Sequence, residues 1–208
     1  MEYFLANNLF SSKQYGFIKG RSTVLQLLQV LDDWSTLLEN KGQIDVIYTD
    51  LEKAFDKVPH RRLLSKLSSY GISNPLINWI KNFLCYRYQR VKVNNCLSDP
   101  KPVLSGIPQG SVLGPVLFVI FINDLPSQCA NMSELYMFAD DAKLFKHISC
   151  VSDSVDLNAS CQELFNWCKN WQMSININKC KVLIVSHDKN NIIKYDYGFQ
   201  QLLIILFH

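Results

Sequence analysis

Apolar residues at Val24, Leu27, Leu28, Leu31, Trp34, Leu37 and Leu38 recur at the three-and-four spacing of a helix with one apolar face. A packed helix is therefore predicted from Ser22 onward, closed by Lys41-Gly42. Residues 43–50 instead alternate and are rich in β-branched side chains, which predicts a strand whose last residue is the acid Asp50. Two helices follow, 61–70 ending at Gly71 and 75–86 with Ser73 or Asn74 as cap and Pro75 in the first position. Residues 87–93 alternate with basic residues on one face, turn through 94–99 and return through 101–105, a basic ribbon. An apolar helix over 112–124 comes next, then strands 134–139 and 142–147 around the pair Asp140-Asp141, a hairpin with two carboxylates at its tip. A helix over 153–170 and short strands at 173–177 and 181–185 complete the pattern. This order reads as α+β, with an antiparallel sheet covered on one face. Residues 190–208 continue no unit of the pattern and form an unassigned tail, disordered or packed late.

Composition fits this picture. With 208 residues, 48% of them hydrophobic, the chain can bury a real core, which excludes disorder as its main description. The most apolar run, 112–125, is cut short by Gly114, Pro115 and Asp124, so no membrane span is predicted. Seven cysteines without a CxxC pair fit neither a disulfide framework nor a zinc ribbon, and point to an intracellular chain; the nucleus and the cytoplasm are not distinguished. The first ten residues, MEYFLANNLF, carry no secretory signal, and His60, His147, His187 and His208 are too scattered to suggest a metal site. The net charge of +3 conceals an asymmetry: between His60 and Lys101 eight Lys and Arg residues face the single acid Asp99, a local +7 that leaves −4 elsewhere. A chain holding a polyanion beside metal-binding carboxylates has this distribution, and so do two basic helices with solvated faces.

Adjacent acids at a hairpin tip repel unless a cation or solvent screens them. With Asp50 at a neighbouring strand end, three carboxylates would suit two Mg²⁺ ions that stabilise the attacking and leaving oxygens of phosphoryl transfer. A solvated Asp-Asp turn and an unrelated strand-end acid explain the same residues.

Five blocks in order bring in a further argument: Gln14-Tyr-Gly-Phe-Ile-Lys-Gly-Arg-Ser-Thr23, the run from Tyr48-Thr-Asp-Leu-Glu-Lys-Ala-Phe-Asp to His60, Ser105-Gly-Ile-Pro-Gln-Gly to Pro115, Phe138-Ala-Asp-Asp141 and Asn176-Ile-Asn-Lys-Cys-Lys181. Through them the chain resembles the reverse transcriptase domain of retrotransposons without long terminal repeats, the LINE-like families, over residues 13–186. The resemblance implies a polymerase palm, an antiparallel sheet backed by helices, with partial fingers and no thumb, over residues 1–189. It implies RNA-directed DNA synthesis, with an RNA template, a DNA primer and dNTPs as partners, no membrane, and the rest of a longer retrotransposon polyprotein as a further partner. Asp50, Asp140 and Asp141 become catalytic acids and, with the Leu51 carbonyl, ligands of two Mg²⁺ ions. Lys179 becomes the lysine that neutralises departing pyrophosphate. The backbone amides of Lys53 and Ala54 would meet the triphosphate, and Phe55 would exclude a ribose 2′-hydroxyl. Gln109 and Gly110 would lie at the nascent base pair, and Lys19, Arg21, Arg87, Arg90 and Lys92 on nucleic acid.

The pattern also departs from the family. Only 13 residues precede Gln14, so the arginine-containing finger block that grips the triphosphate is not in this sequence, and nothing after Lys189 resembles the thumb. Two readings follow: a polymerase domain using two metals, or a catalytically inactive palm relic that at most binds nucleic acid.

Overall fold

The computed structural model describes residues 1–39, 42–129, 132–186, 188 and 190–205, with side chains of the last strand described as far as residue 202. Lys41, one of the two residues predicted to close the first long helix, and His187, Lys189 and His208 lie outside the described residues. A short helix α1 (Glu2–Ala6) and the long α2 (Thr23–Glu39) precede strand β1 (Gln43–Thr49). Helices α3 (Ala54–Lys57), α4 (His60–Ser69) and α5 (Asn74–Leu84) follow, then four two-residue strands, β2 (Tyr88–Gln89), β3 (Lys92–Val93), β4 (Cys96–Leu97) and β5 (Lys101–Pro102). The remainder runs α6 (Leu113–Ile122), α7 (Leu125–Cys129), β6 (Glu134–Phe138), β7 (Asp141–Ile148), α8 (Val151–Trp171), β8 (Lys181–Ser186) and β9 (Gln200–Ile205).

The main sheet has the order β6-β7-β1-β8-β9. Its centre is β1, antiparallel to both β7 and β8, so Asp50 leaves the sheet beside the turn that carries Asp140 and Asp141. Alternation along β1 sends Ile47 into the larger core with α4, α6 and α8, and Ile44 and Val46 into a smaller core with Val30 and Leu38 of α2. The sheet is thus covered on both faces, not on one as the pattern suggested.

α2 itself differs from its prediction. Val24, Leu27, Leu28 and Leu31 are exposed, whereas Gln26, Val30 and Leu38 are buried. The stripe that meets the sheet runs through positions 26, 30, 34 and 38. A helix resting on one sheet face has a single packing partner, and a second apolar stripe then faces outward.

Two further differences lie after α8. Residues 173–177 form no strand, only a bridge between Ile175 and Leu51. The unassigned tail supplies β9, which pairs parallel with β8 and makes the sheet mixed. Buried polar groups on β1 anchor the segment leading to it. The Gln43 amide donates to the Ile193 carbonyl at 2.9 Å and accepts from the Ile193 N–H at 2.8 Å, imitating a strand pair. The Tyr197 hydroxyl donates to the Asp45 carboxylate at 2.7 Å. Asp45 has no exposed surface, and burial pushes its carboxyl above the ordinary carboxylate range. Sequence periodicity does not register such anchors because each is a single polar residue inside an apolar strand.

A second buried node holds α4 against α6 and α8. Lys66 Nζ donates to the Phe121 carbonyl and to Asp124 at 2.5 Å, 3.7 Å from the centroid of the Trp171 ring, and Trp167 Nε1 donates to the same carboxylate at 3.0 Å. Burial lowers the Lys66 ammonium to about 8 despite the pairing with Asp124.

Candidate active site

The hairpin between β6 and β7 turns through Ala139 and Asp140, with Phe138 paired to Asp141. Ala139 has φ 53°, a left-handed conformation that costs an L-residue roughly 1–2 kcal/mol. The Gln14 side chain holds it there. Its Oε1 accepts from Ala139 N–H at 2.9 Å and Gly16 N–H at 2.7 Å, while its Nε2 donates to the Ala139 carbonyl at 3.0 Å. Gln14 is 1% exposed, and a Cβ on Gly16 would stand 2.4 Å from the Ala139 nitrogen. Gln14 and Gly16 thereby position the acidic tip, a role that the sequence left unassigned although both stand in the first matching block. Gly16→Ala is expected to cost about 1–3 kcal/mol of stability through this overlap, read from urea unfolding. An unchanged midpoint would show that the tip yields without cost.

The carboxylates meet at this end of the sheet. Burial raises the Asp140 carboxyl above its ordinary range, and the charges of Asp141 and Asp50 raise it further, while Lys179 opposes them. Lys179 Nζ lies 3.6 Å from Asp50 Oδ1. The bridge beside it uses the Asp50 carbonyl, which accepts from Asn176 N–H at 2.8 Å, and the Glu52 N–H, which donates to Ser174 at 2.8 Å. The Leu51 carbonyl accepts no hydrogen bond among the described residues. These hard oxygen donors have the chemistry that Mg²⁺ prefers. Among the described residues, however, no three His, Cys, Asp or Glu side chains are gathered closely enough to hold a metal ion.

Phe55, on α3, stacks on Phe118 at 4.3 Å between ring centroids and meets Phe17 edge-on at 6.5 Å. It lines a cavity of about 250 Å³ together with Pro108, Gln109, Gly110, Gly114 and Pro115. The loop before α6 is fastened to α3: Gly106 N–H donates to Val58 and Ile107 N–H to Phe55, each at 2.8 Å, and Gln109 Nε2 donates to Asp56 Oδ1 at 2.9 Å. Gly106, at φ 90°, leaves room for this contact, since a Cβ there would lie 2.6 Å from the Asp56 carbonyl oxygen. His60 is buried with Nε2 2.8 Å from the Gly106 carbonyl oxygen, which gives it a structural place. Lys53 is exposed and left-handed at φ 49°, and Ala54 is buried behind it.

The basic residues divide. Arg87, Arg90 and Lys92 are exposed on the ribbon, and Arg87 shares a cavity of about 560 Å³ with Lys53, Asp56 and Gln109. Lys19 is exposed. Arg21 is half-buried, and its guanidinium donates to the carbonyls of Ser11 and Gln14 within the chain.

Comparison with known proteins adds to this geometry. The family described as reverse transcriptase (RNA-dependent DNA polymerase) matches residues 1–196. A probable RNA-directed DNA polymerase from transposon BS of Drosophila melanogaster is 33% identical over 82% of this chain and 20% of its own length. The RNA-directed DNA polymerase from mobile element jockey of Drosophila funebris is 34% identical over 80% of this chain and 19% of its own. The chain thus spans about a fifth of the length of these relatives. Telomerase of Candida tropicalis, solved with a fragment of telomeric RNA, superposes with a TM-score of 0.67 at 14% identity, over 88% of this chain and 32% of that one. This last likeness concerns the fold.

Proposed function

Since the chain belongs to the reverse transcriptase (RNA-dependent DNA polymerase) family, in the form carried by retrotransposons without long terminal repeats, we propose that it is the palm of such an enzyme and, as it stands, holds nucleic acid without catalysing nucleotidyl transfer. The observation that carries this reading is the carboxylate arrangement: among the described residues no metal-holding group of three is gathered, and Lys179 lies 3.6 Å from the acid that both ions would need. The exposed Arg87, Arg90, Lys92 and Lys19 support the nucleic-acid role.

One observation favours a second reading, RNA-directed DNA polymerisation with dNTPs on a primer and an RNA template. Asp140 is raised first by burial and then further by the like charges of Asp141 and Asp50, a repulsion that bound cations would relieve. Two Mg²⁺ ions, held by Asp50, Asp140, Asp141 and the Leu51 carbonyl, would supply Lewis-acid stabilisation of the attacking and leaving oxygens. In that reading Phe55 excludes a 2′-hydroxyl, Gln109 and Gly110 pack on the nascent pair, the Lys53 and Ala54 amides face the triphosphate, and Lys179 neutralises pyrophosphate.

Extension of a DNA primer on an RNA template with Mg²⁺ and dNTPs separates the two readings. The expected result for the 208-residue chain is hybrid binding with no extension above that of Asp140→Asn. Mg²⁺-dependent extension that Asp140→Asn abolishes would overturn the first reading in favour of the second.

A further inference from the structure

The strand register sets three side chains in a row that none of the roles above uses. Tyr48 of β1 lies directly opposite Lys143 of β7 and directly opposite Lys181 of β8. Directly opposed residues project from one face of a sheet. This is the face on which α2 packs, as Tyr48 joins the core formed by Val30 and Leu38. The row stands at the end of that face where Asp50 and Asp141 emerge. There Tyr48, Lys143, Lys179 and Lys181 line a cavity of about 700 Å³ together with both acids.

The two lysines have little to hold them within the chain. Neither makes an ion pair among the described residues. Lys143 Nζ lies 5.7 Å from the Tyr48 ring centroid, and Lys181 meets the neutral amide of Gln200. Only β1 separates the strands that bear them, so their backbones stand about 10 Å apart, a gap that two flexible lysine stems bridge toward neighbouring anions of one strand.

The cavity also lies on the other side of the carboxylates from the Phe55 cavity. Phe55 packs on Phe118 of the α6 core, whereas Tyr48 belongs to the α2 core. Lys179 stands with Lys143 and Lys181 in the α2-side cavity, apart from Phe55, Gln109 and Gly110, and three ammonium groups gathered along one cavity suit the successive phosphates of a polynucleotide backbone.

We infer that Lys143 and Lys181, either side of Tyr48, clamp the backbone phosphates of the nucleic-acid strand whose 3′ end meets Asp50 and Asp141. The inference rests on the nucleic-acid-holding reading above and adds to it a site and a strand. The clamp acts through charge, so it appears in affinity and salt dependence and needs no turnover.

The test is fluorescence anisotropy of a labelled DNA primer annealed to a longer RNA template, titrated with the 208-residue chain at several salt concentrations in EDTA. The K143Q/K181Q pair is expected to weaken binding about tenfold or more at low salt and to flatten the slope of log K against log salt by about 2. K143R/K181R should restore both, and K169Q/K194Q, at two exposed lysines outside the cavity, should change neither. The single change K181Q, expected to flatten the slope by about 1, provides the measurement if the double variant unfolds. Wild-type binding that K143Q/K181Q, or K181Q in its place, leaves unaltered would overturn the clamp and leave the broader reading standing. A wild-type chain that binds no hybrid would overturn both.

Discussion

Phe121→Ala is expected to lower the free energy of unfolding by about 3–5 kcal/mol, the cost of removing a large aromatic ring from a core that cannot close around the gap. Phe121 has no exposed surface. Its ring meets Trp167 at 5.8 Å and Trp171 at 5.9 Å in edge-on contacts, and Lys66 Nζ lies 4.9 Å from its centroid. The truncation therefore empties the contact region of three helices and removes one wall around a buried ammonium. Urea unfolding should give a lower midpoint at unchanged slope. Phe121→Leu should recover part of the loss, and Leu104→Ala, at a residue 82% exposed, should stay within about 0.5 kcal/mol of wild type. A Phe121→Ala loss as small as that control would mean that α6 does not pack as described.

Raising the pH from 8 to 10.5 is expected to produce the second large effect, a net loss of stability. Cys129, Cys161 and Cys168 are buried, and their thiols are pushed up from 9.0 to about 12. Above pH 9 the unfolded chain releases protons that the folded chain retains, so stability present at neutral pH is lost as pH rises. Each thiol contributes about 1.4 kcal/mol per pH unit, on the order of 6 kcal/mol for three by pH 10.5. Lys66 works in the other direction. Its folded value is about 8 against an ordinary 10.5, so between these values the unfolded chain holds a proton that the folded chain lacks, and stability rises by roughly 3 kcal/mol. The thiols outweigh the lysine. Urea midpoints at the two pH values should therefore fall for wild type and fall further for Lys66→Met, which lacks the offset. A wild-type midpoint that holds or rises would contradict the burial of these thiols.

The sequence was most legible where one periodicity met one environment. β1, β6, β7 and β8 alternate between two different cores, and α4 and α5 carry single apolar faces, so each was found close to its place. In α2 the predicted face runs from Val24 to Leu38; Trp34, Leu37 and Leu38 meet the sheet as the pattern suggested, whereas Val24, Leu27, Leu28 and Leu31 are exposed and Gln26 and Val30, which periodicity passed over, are buried. β9 was missed because its anchors are Gln43, Asp45 and Tyr197, whose pairing spans about 150 residues and leaves no local signature. At the site, the acids could be named from strand ends and motif blocks. Gln14, which fixes the backbone that presents them, reaches Ala139 across 125 residues, and its one local contact, the Gly16 N–H, carries no pattern that periodicity could read.

That last contact has a consequence in time. A chain emerging from the ribosome at about 5–20 residues per second exposes Gln14 some 6–25 seconds before Ala139 exists to receive it. β1 likewise waits for β7 and β8, its neighbours in the sheet. During that interval the amino-terminal segment has an unfilled side-chain amide and an unpaired strand. The acidic tip can take its final shape only after the whole segment from Gln14 to Ala139 has been made, so within this fold its geometry is set late.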